Sequence, residues 1–347
     1  MRSGKNKEFA PVPGLRCKGL RPEMHPPTDD GSDIRKRPSP DRPFGVAAYG
    51  LLVLVILAST WIHHFEPHLL RVPDNGDVSS WRRPSFEETL LYDHATQDQR
   101  KEILSQGVVL KDRLGFQATG DLFALLMGWI CFLHAVRHHG FWKASCFLVG
   151  SFVFTGLEET IWILSGRFLG GMVRNPLGEP FFGTYWFTRG IFWFLETPLT
   201  ACVGWFFIAY ACVLTAGKAF PRMGLWGRAA AGGLIAMGID LWLDPVQTAS
   251  EVMSWVWAKG DPLLLFGIPQ YNFVGWFLLI FLFAIFWEAL PGLEVRRGRK
   301  GATGVFFGLV LTVPLAVFAV IWIWIYLLGG VLSLFGVEKA IHIPRGW

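Results

Sequence analysis

The sequence contains little charge, because Asp, Glu, Lys and Arg make up only 17% of its 347 residues, against about 25% in a typical soluble domain. Cysteine is also scarce, with five residues and no Cys-x-x-Cys pair, which argues against a disulfide framework and against a zinc site. There is no glycine-rich phosphate loop and no Gly-x-Ser-x-Gly nucleophile motif. These shortages exclude a disordered chain, a coiled coil and a disulfide-rich secreted domain, and they argue against an ordinary soluble enzyme.

Apolar side chains, in contrast, are abundant. Hydrophobic residues make up 52% of the chain, including 30 Phe and 17 Trp. A run of about 20 such residues is long enough to cross ~30 Å of hydrocarbon as a helix. Candidate runs lie at residues 44–63, 118–136, 144–165, 185–215, 229–245, 272–290 and 303–328. The sequence therefore predicts an all-α polytopic membrane protein with about seven transmembrane helices, of which the fourth is kinked at Pro198.

The polar segments divide the chain into three parts. Residues 1–43 are rich in Pro, Gly, Lys and Arg and predict a disordered basic tail. Residues 44–335 form the predicted transmembrane domain, and the polar stretch at 66–116 within it predicts an extramembrane loop with an interfacial helix. Residues 336–347 form a short C-terminal tail.

The distribution of Lys and Arg predicts the topology. The net charge is +5, but the basic residues lie in the tail and in short loops rather than along one stripe, which argues against nucleic-acid binding. Nine of them lie in the short loops on the side of the tail and three in those opposite. Cytoplasmic loops carry the excess of positive charge, so we predict a cytoplasmic N-terminus.

Charged residues inside apolar spans are costly and usually mark a functional site. The predicted spans three to five carry six charged residues: Glu158, Glu159, Arg189, Glu196, Asp240 and Asp244. The polar residue Asn272 begins the sixth predicted span. Because consecutive spans alternate in direction, these positions share one membrane face. Asp240 and Asp244 are four residues apart and share a helix face, and Arg189 and Glu196, seven apart, do so too.

The charged residues predicted at this membrane face include more carboxyl groups than basic groups, and this imbalance suggests an acid catalyst. A structural ion-pair network around Arg189 is one interpretation. However, one guanidinium cannot neutralise four or more buried carboxyl groups, so at least one of them is favoured in its protonated form at neutral pH. Since Glu158 and Glu159 are about 100° apart on a helix, at most one is expected to point directly inward.

Two groups of histidines have spacings found in membrane di-iron enzymes: His134, His138 and His139, and His63, His64 and His68. Such enzymes need more histidines in more groups, and the two groups here lie on opposite predicted membrane faces. We therefore interpret them as interfacial residues that cap the first two spans, and we predict neither a metal site nor a cofactor.

Five sequence blocks carry a family resemblance: Glu159 with Ser165-Gly166, the segment PFFGTY at 180–185, DLWLDP at 240–245, Trp255-Val256-Trp257, and GIPQYNFVGW at 267–276. In order, spacing and residue type they resemble the membrane carotenoid biosynthesis protein family, which includes carotenoid 1′,2′-hydratases of the bisanhydrobacterioruberin hydratase type. The chain departs from the family pattern at Trp162, where glycine is usual, and by about a dozen extra residues at 167–179.

The resemblance implies addition of water to the terminal C1′,2′ double bond of an acyclic carotenoid, without a cofactor, in the bacterial cytoplasmic (inner) membrane. The expected partners are an acyclic carotenoid or another long isoprenoid, the lipid bilayer and other enzymes of the carotenoid pathway. In this reading Asp240 or Glu159 is the acid that protonates the alkene, Asp244 is its partner and Asn272 positions water. Arg189 would hold Glu196 in its ionised form.

Aromatic side chains would stabilise the carbocation that this reaction forms. The candidates are Tyr185, Trp257 and Trp276, together with Trp162. Two other functions remain open on the sequence alone. One is a hydratase or isomerase acting on a different isoprenoid or lipid alkene, and the other is a non-catalytic membrane carrier or scaffold for long apolar ligands.

Overall fold

The computed structural model describes residues 42–66, 114–169, 173–174, 180–181, 185–187, 190–248, 254–257, 262–337 and 341–343. The predicted disordered tail lies outside the described residues except for its last two positions. Most of the predicted extramembrane loop, with its interfacial helix, lies outside them too, and so does Arg189.

Five helices dominate the described residues: α1 Arg42–Phe65, α2 Leu114–Leu169, α3 Leu199–Ala219, α4 Leu225–Gln247 and α5 Gln270–Leu334. All five are long and apolar enough to cross a membrane. Large apolar side chains on their outer faces are exposed, among them Leu54, Leu122 and Trp242, as expected for surfaces in contact with lipid. The prediction of an all-α polytopic membrane protein is confirmed.

The two longest helices each contain a kink at a glycine. Gly140 in α2 has φ 78° and Gly298 in α5 has φ 68°, values in the left-handed region that glycine adopts without steric penalty. Two helices meet at each of these positions. At ~1.5 Å per residue, the 56 residues of α2 and the 65 of α5 are each longer than one crossing of the bilayer requires. The predicted number of seven spans stays a prediction.

The prediction of one continuous kinked span over 185–215 is wrong. Within this run only the part from Leu199 onward is helical, and the residues before it form short strands and turns: β3 Tyr185–Phe187, β4 Trp193–Phe194 and β5 Thr197–Pro198. Leu195 has φ 55° in the turn between β4 and β5, and Pro198 disfavours a helical conformation in the residue before it. A run of apolar residues indicates that the segment is buried, and a strand can be buried as well as a helix can.

Further strands connect segments that are distant in the sequence. Strand β6 (Trp255–Trp257) pairs antiparallel with β3, so that Trp257 lies opposite Tyr185. The other strands are β1 Val173–Arg174, β2 Pro180–Phe181, β7 Leu263–Leu265, β8 Ile268–Pro269 and β9 Ile341–Ile343. β1 pairs with β2, and β7 pairs antiparallel with β8 and parallel with β9, so part of the predicted C-terminal tail is a strand.

Four of the helices form the buried core. α2 packs against α3 and α5, and α4 packs against the same two helices. Phe147 of α2 is fully buried and makes edge-to-face contacts with four rings of α3 and α5, namely Phe206, Tyr210, Phe283 and Trp287. The arrangement brings the C-terminal parts of α2 and α4 together with the N-termini of α3 and α5.

Candidate functional site

Two aspartates and an asparagine form a hydrogen-bonded group at this end of the bundle. Asp240 and Asp244 lie one turn apart on α4 and are 0% and 2% exposed. Asn272 lies in the first turn of α5, and its Nδ2 donates to Asp240 Oδ2 at 2.8 Å and to Asp244 Oδ2 at 2.7 Å. One amide therefore bridges both carboxyl groups, and the second oxygen of Asp240 has no hydrogen-bond partner among the described residues.

The helix that carries the aspartates extends beyond Pro245. Because a proline disfavours a helical conformation in the residue before it, the sequence predicts an end at Asp244, but this prediction is wrong, since α4 continues to Gln247. Pro245 lies in the last turn of α4, where it removes the N–H that would donate to the carbonyl of Leu241. The N–H and hydroxyl of Thr248 both donate to the Asp244 carbonyl, at 2.9 and 2.8 Å. The Asp244 side chain therefore lies beside ordered, hydrogen-bonded backbone.

Two glutamates of α2 complete the acidic group. Glu158 and Glu159 are 7% and 8% exposed, and Glu159 lies close enough to Asp244 for the two carboxyl groups to interact. The Oε2 atom of Glu159 has no hydrogen-bond partner among the described residues. Both glutamates line the same cavity, and the expectation that at most one of them points directly inward stays a prediction. Side chains of this length can reach one cavity from positions 100° apart.

The cavity contains about 340 Å³ of space between atoms, part of it open to the outside. Asn272 and the two glutamates supply its amide and carboxyl groups, and the two aspartates lie behind Asn272 rather than in the wall. Six aromatic rings form much of the remaining wall: Trp162, Tyr185, Trp205, Trp257, Tyr271 and Trp276. Among the described residues, no Lys, Arg or His lines this cavity.

The rings form contacting pairs rather than isolated positions. Trp162 stacks on Tyr271 with centroids 5.2 Å apart, and Trp205 stacks on Trp276 at 4.6 Å. The centroids of Tyr185 and Trp257 are 4.4 Å apart, and the β3–β6 pairing fixes this approach. The Trp257 indole N–H is buried and has no partner among the described residues. The cavity thus combines buried acids with several π faces.

Trp205 and Tyr271 were not predicted from the sequence as site residues. Tyr271 stands beside Asn272 in the GIPQYNFVGW block, which was a usable signal. Trp205 gave no such signal in the sequence, because an aromatic residue in an apolar helix indicates burial and nothing more specific. Trp276 and Trp257, which were selected, line the cavity.

Glu196 lies outside this group. The expectation that it sits on a helix face with Arg189 is wrong, because Glu196 occupies the turn between β4 and β5. It is 5% exposed, and its Oε2 lies 4.0 Å from Nε2 of His63 on α1. The backbone N–H of Glu196 donates to Thr160 Oγ1 at 3.3 Å.

Helix α1 holds the segment around Glu196 through several hydrogen bonds. Ser59 Oγ accepts from the N–H of Leu195, and Thr60 Oγ1 accepts from the N–H of Trp193, both at 2.9 Å. The ring of His63 donates to the Leu195 carbonyl at 2.8 Å and stacks on Trp193 with centroids 3.8 Å apart. These contacts were not visible in the sequence, where the histidines suggested only a position at the interface.

The histidines on α2 make hydrogen bonds and ring contacts. His134 Nδ1 and the Tyr210 hydroxyl share a hydrogen bond of 2.7 Å, and the rings of His134 and His138 lie 4.2 Å apart. The part of the chain that the structure describes contains no group of three or more His, Cys, Asp or Glu residues placed to hold a metal ion.

Comparison with known proteins gives the class of this protein. A family model described as "Carotenoid biosynthesis protein" matches residues 119–337, which is well over half of the chain. The chain therefore belongs to the carotenoid biosynthesis protein family. Searches of curated proteins and of solved structures find no match. The matched segment contains every residue that lines the cavity, whereas α1 lies before it.

Proposed function

We propose that this carotenoid biosynthesis protein is a hydratase that adds water to the terminal double bond of an acyclic carotenoid end. The observation that carries the proposal is a single cavity in which buried carboxyl groups meet aromatic walls. Alkene hydration by an acid needs both features, because a proton must be delivered and a carbocation must then be stabilised.

Glu159 is the group best placed to deliver the proton. It lines the cavity, one of its oxygens is unpartnered among the described residues, and no basic side chain of those residues lines the cavity to neutralise it. A buried carboxyl group in such surroundings is favoured in its neutral form, which can donate a proton. Glu158, also in the wall, adds to the local excess of acid.

The reaction follows in two steps. Glu159 transfers its proton to C2′, the less substituted carbon of the terminal double bond, and leaves a tertiary cation at C1′. Water then attacks C1′ and gives one proton to the Glu159 carboxylate. One C–H and one C–O bond replace the π bond, and the carboxylic acid is restored. No electrons are gained or lost overall, so the reaction as proposed needs no redox partner.

The two aspartates act behind the cavity wall. Asp240 and Asp244 lie within one turn of each other, and one Asn272 amide bridges them. Two carboxyl groups in such proximity favour holding one proton between them. A negative charge shared there disfavours a second charge on nearby Glu159 before the substrate arrives. Asp240, Asp244 and Asn272 are therefore positioning residues in this mechanism.

The aromatic rings favour the cation and shape the cavity for an apolar chain end. A desolvated cation over the face of Trp or Tyr gains roughly 2 kcal/mol, and Trp162, Tyr185 and Trp257 offer such faces. A C40 polyene is about as long as the ~30 Å hydrocarbon layer, so its ends lie near the membrane interfaces. The position of the cavity at one end of the bundle fits such a substrate end.

Pigment analysis tests this proposal directly. A bacterial strain that accumulates an acyclic carotenoid would express the wild-type protein, Glu159→Gln or Glu294→Gln, and its pigments would be analysed by mass spectrometry. We expect wild type to add the mass of one water molecule, and Glu159→Gln to lower the yield by on the order of 100-fold or more. Glu294, paired with Arg299 at a 33% exposed position, is the matched control and should retain activity.

Two outcomes would contradict the proposal. One is a wild-type protein, present in the membrane at normal level, that leaves every acyclic pigment at its original mass. The other is a Glu159→Gln variant that hydrates as fast as wild type. Purified wild-type protein that binds the pigment without converting it would favour a carrier instead.

A further inference from the structure

Three buried threonine hydroxyls belong to segments that pack around the part of α2 that carries Glu159. They belong to Thr155 on α2, Thr197 on β5 and Thr200 in the first turn of α3, and we call them the threonine pocket. None of the three oxygens has a hydrogen-bond partner among the described residues. Thr155 and Thr197 are 1% and 0% exposed, so neither reaches bulk solvent.

Packing of the surrounding elements brings these threonines together. Thr155 lies one turn before Glu159 on the same face of α2. The neighbouring Gly156 packs directly on the ring of Phe194, and Phe194 is the register partner of Thr197 in the β4–β5 pair. Thr200 follows Thr197 by three residues.

A second set of contacts fixes the start of α3 against the same part of α2. Cys202, Phe152 and Phe194 belong to one buried cluster, and the ring centroids of Phe152 and Phe194 are 5.1 Å apart. Cys202 also lies close enough to Glu159 for an electrostatic interaction. The first turn of α3, which contains Thr200, therefore faces the side of α2 that carries Thr155 and Glu159.

Buried hydroxyl groups of this kind are rarely left without a hydrogen bond. In native proteins they bond to the protein or to ordered water, and buried waters typically make about three such bonds. A threonine inside a helix can instead bond to the carbonyl four residues earlier, but Thr155 makes no such bond. At the start of α3 the Leu199 N–H donates to the Phe192 carbonyl at 2.8 Å, and no side chain caps the helix.

We propose that the threonine pocket binds water next to Glu159 and supplies the water molecule that adds to the substrate. This inference rests on the proposed hydratase function for its chemistry, although water binding itself does not. Water held by the three hydroxyls would lie beside the carboxylate that Glu159 becomes after the first proton transfer. That carboxylate accepts one proton from the water as its oxygen bonds to C1′.

The pocket then decides which of two products the cation gives. With water in place, the cation gains a hydroxyl group. Without it, the Glu159 carboxylate removes a proton from a carbon next to C1′, so that an alkene forms with its mass unchanged and its double bond retained or moved. The ratio of alcohol to isomerised alkene therefore reports on the water site, whatever the amount of folded protein.

The test uses the variants Thr155→Val and Thr197→Val, in which a methyl group replaces the hydroxyl group at nearly constant volume. Thr312→Val is the matched control, since the Thr312 hydroxyl donates to Gly308 O on the exposed side of α5 at 2.8 Å. Isomers and alcohols would be separated by chromatography after incubation with the purified full-length protein. We expect the alcohol-to-isomer ratio to fall on the order of tenfold in the pocket variants and to stay unchanged in the control.

A structure of the wild-type protein at a resolution that shows water provides a readout independent of activity. Density for ordered water bonded to the threonine hydroxyls is expected, with at least one water lost in Thr155→Val. A dry pocket, or an active wild type whose product ratio is unchanged by both substitutions, would overturn the inference and leave the hydratase proposal standing. Ordered water in the pocket of a wild type that forms no alcohol would instead overturn the hydratase proposal and the supply of water to the substrate.

Discussion

At the scale of single residues, Asn272 contributes more hydrogen bonding than one side chain usually does, because its amide donates to two buried aspartates. Replacement by Leu removes both hydrogen bonds and leaves two carboxyl groups facing an apolar side chain. The loss of a partner for a buried polar group costs about 1–3 kcal/mol, so we expect Asn272→Leu to lower the free energy of unfolding by roughly 2–5 kcal/mol. Denaturant titration of the purified protein in detergent measures this change.

The neighbouring Gln270 provides the control for this prediction. Its side chain accepts a single hydrogen bond from the exposed indole of Trp324, so Gln270→Leu should cost well under half as much. A double variant, Asn272→Leu with Asp240→Leu, removes one of the stranded acids and should recover part of the loss. Equal effects of the two single substitutions would show that the bridge contributes little.

Single residues also show what sequence could reveal about the site. Glu159, Asp240 and Asn272 were predicted because a charged or strongly polar group in an apolar span is conspicuous. Thr155 and Trp205 were not, because a hydroxyl or an indole in such a span is common and usually means packing. Their place in the site depends on which side chains lie beside them and on whether the polar groups there have hydrogen-bond partners. Only the three-dimensional structure gives this information.

At the scale of elements, the approach of α4 to α5 depends on Gly233. A Cβ atom there would lie 2.7 Å from the carbonyl oxygen of Phe277, a backbone atom that cannot move aside alone. Gly233 lies two turns before Asp240, and Phe277 lies little more than one turn after Asn272, so the same contact sets the spacing of the acidic group. We expect Gly233→Ala to destabilise the protein by about 1–3 kcal/mol and to reduce hydration.

Gly238 on the same helix is the matched control. A Cβ atom added at Gly238 would meet nothing within 4 Å, so Gly238→Ala should be neutral or stabilise α4 by up to about 1 kcal/mol. Thermal unfolding and pigment analysis of both variants check the pair. If both alanines behaved alike, helix propensity rather than the close approach would control this interface.

Elements were predicted with uneven success for a physical reason. Hydrophobic runs of span length identified α1, α3 and α4 because a membrane imposes that length on a helix. The same signal misassigned 185–198, where apolar residues are buried in strands against α1 and α2. A positive φ at Leu195 cannot be read from a leucine, which rarely adopts it.

At the scale of the whole molecule, α1 lies outside residues 119–337, the segment that matches the family model. It nevertheless contributes two hydroxyl acceptors, Ser59 and Thr60, to backbone N–H groups of the β4–β5 region, where Thr160 of α2 provides a third. That region leads directly into α3, which carries Trp205 of the cavity wall. α1 therefore stabilises, from outside the family segment, an uncommon backbone conformation next to the site.

The double variant Ser59→Ala with Thr60→Val tests this dependence in the full chain. Both backbone N–H groups would be left unpaired, at about 1–3 kcal/mol each when buried, and Leu195 would lose a contact that holds its positive φ. We expect a free energy of unfolding lower by roughly 2–4 kcal/mol and a lower yield of hydrated pigment per folded molecule. Tyr49→Phe, which removes the α1–α2 hydrogen bond to Ser145, should affect stability less and leave the yield per folded molecule unchanged. If the double variant lost stability but kept that yield, α1 would anchor the fold without influencing the site.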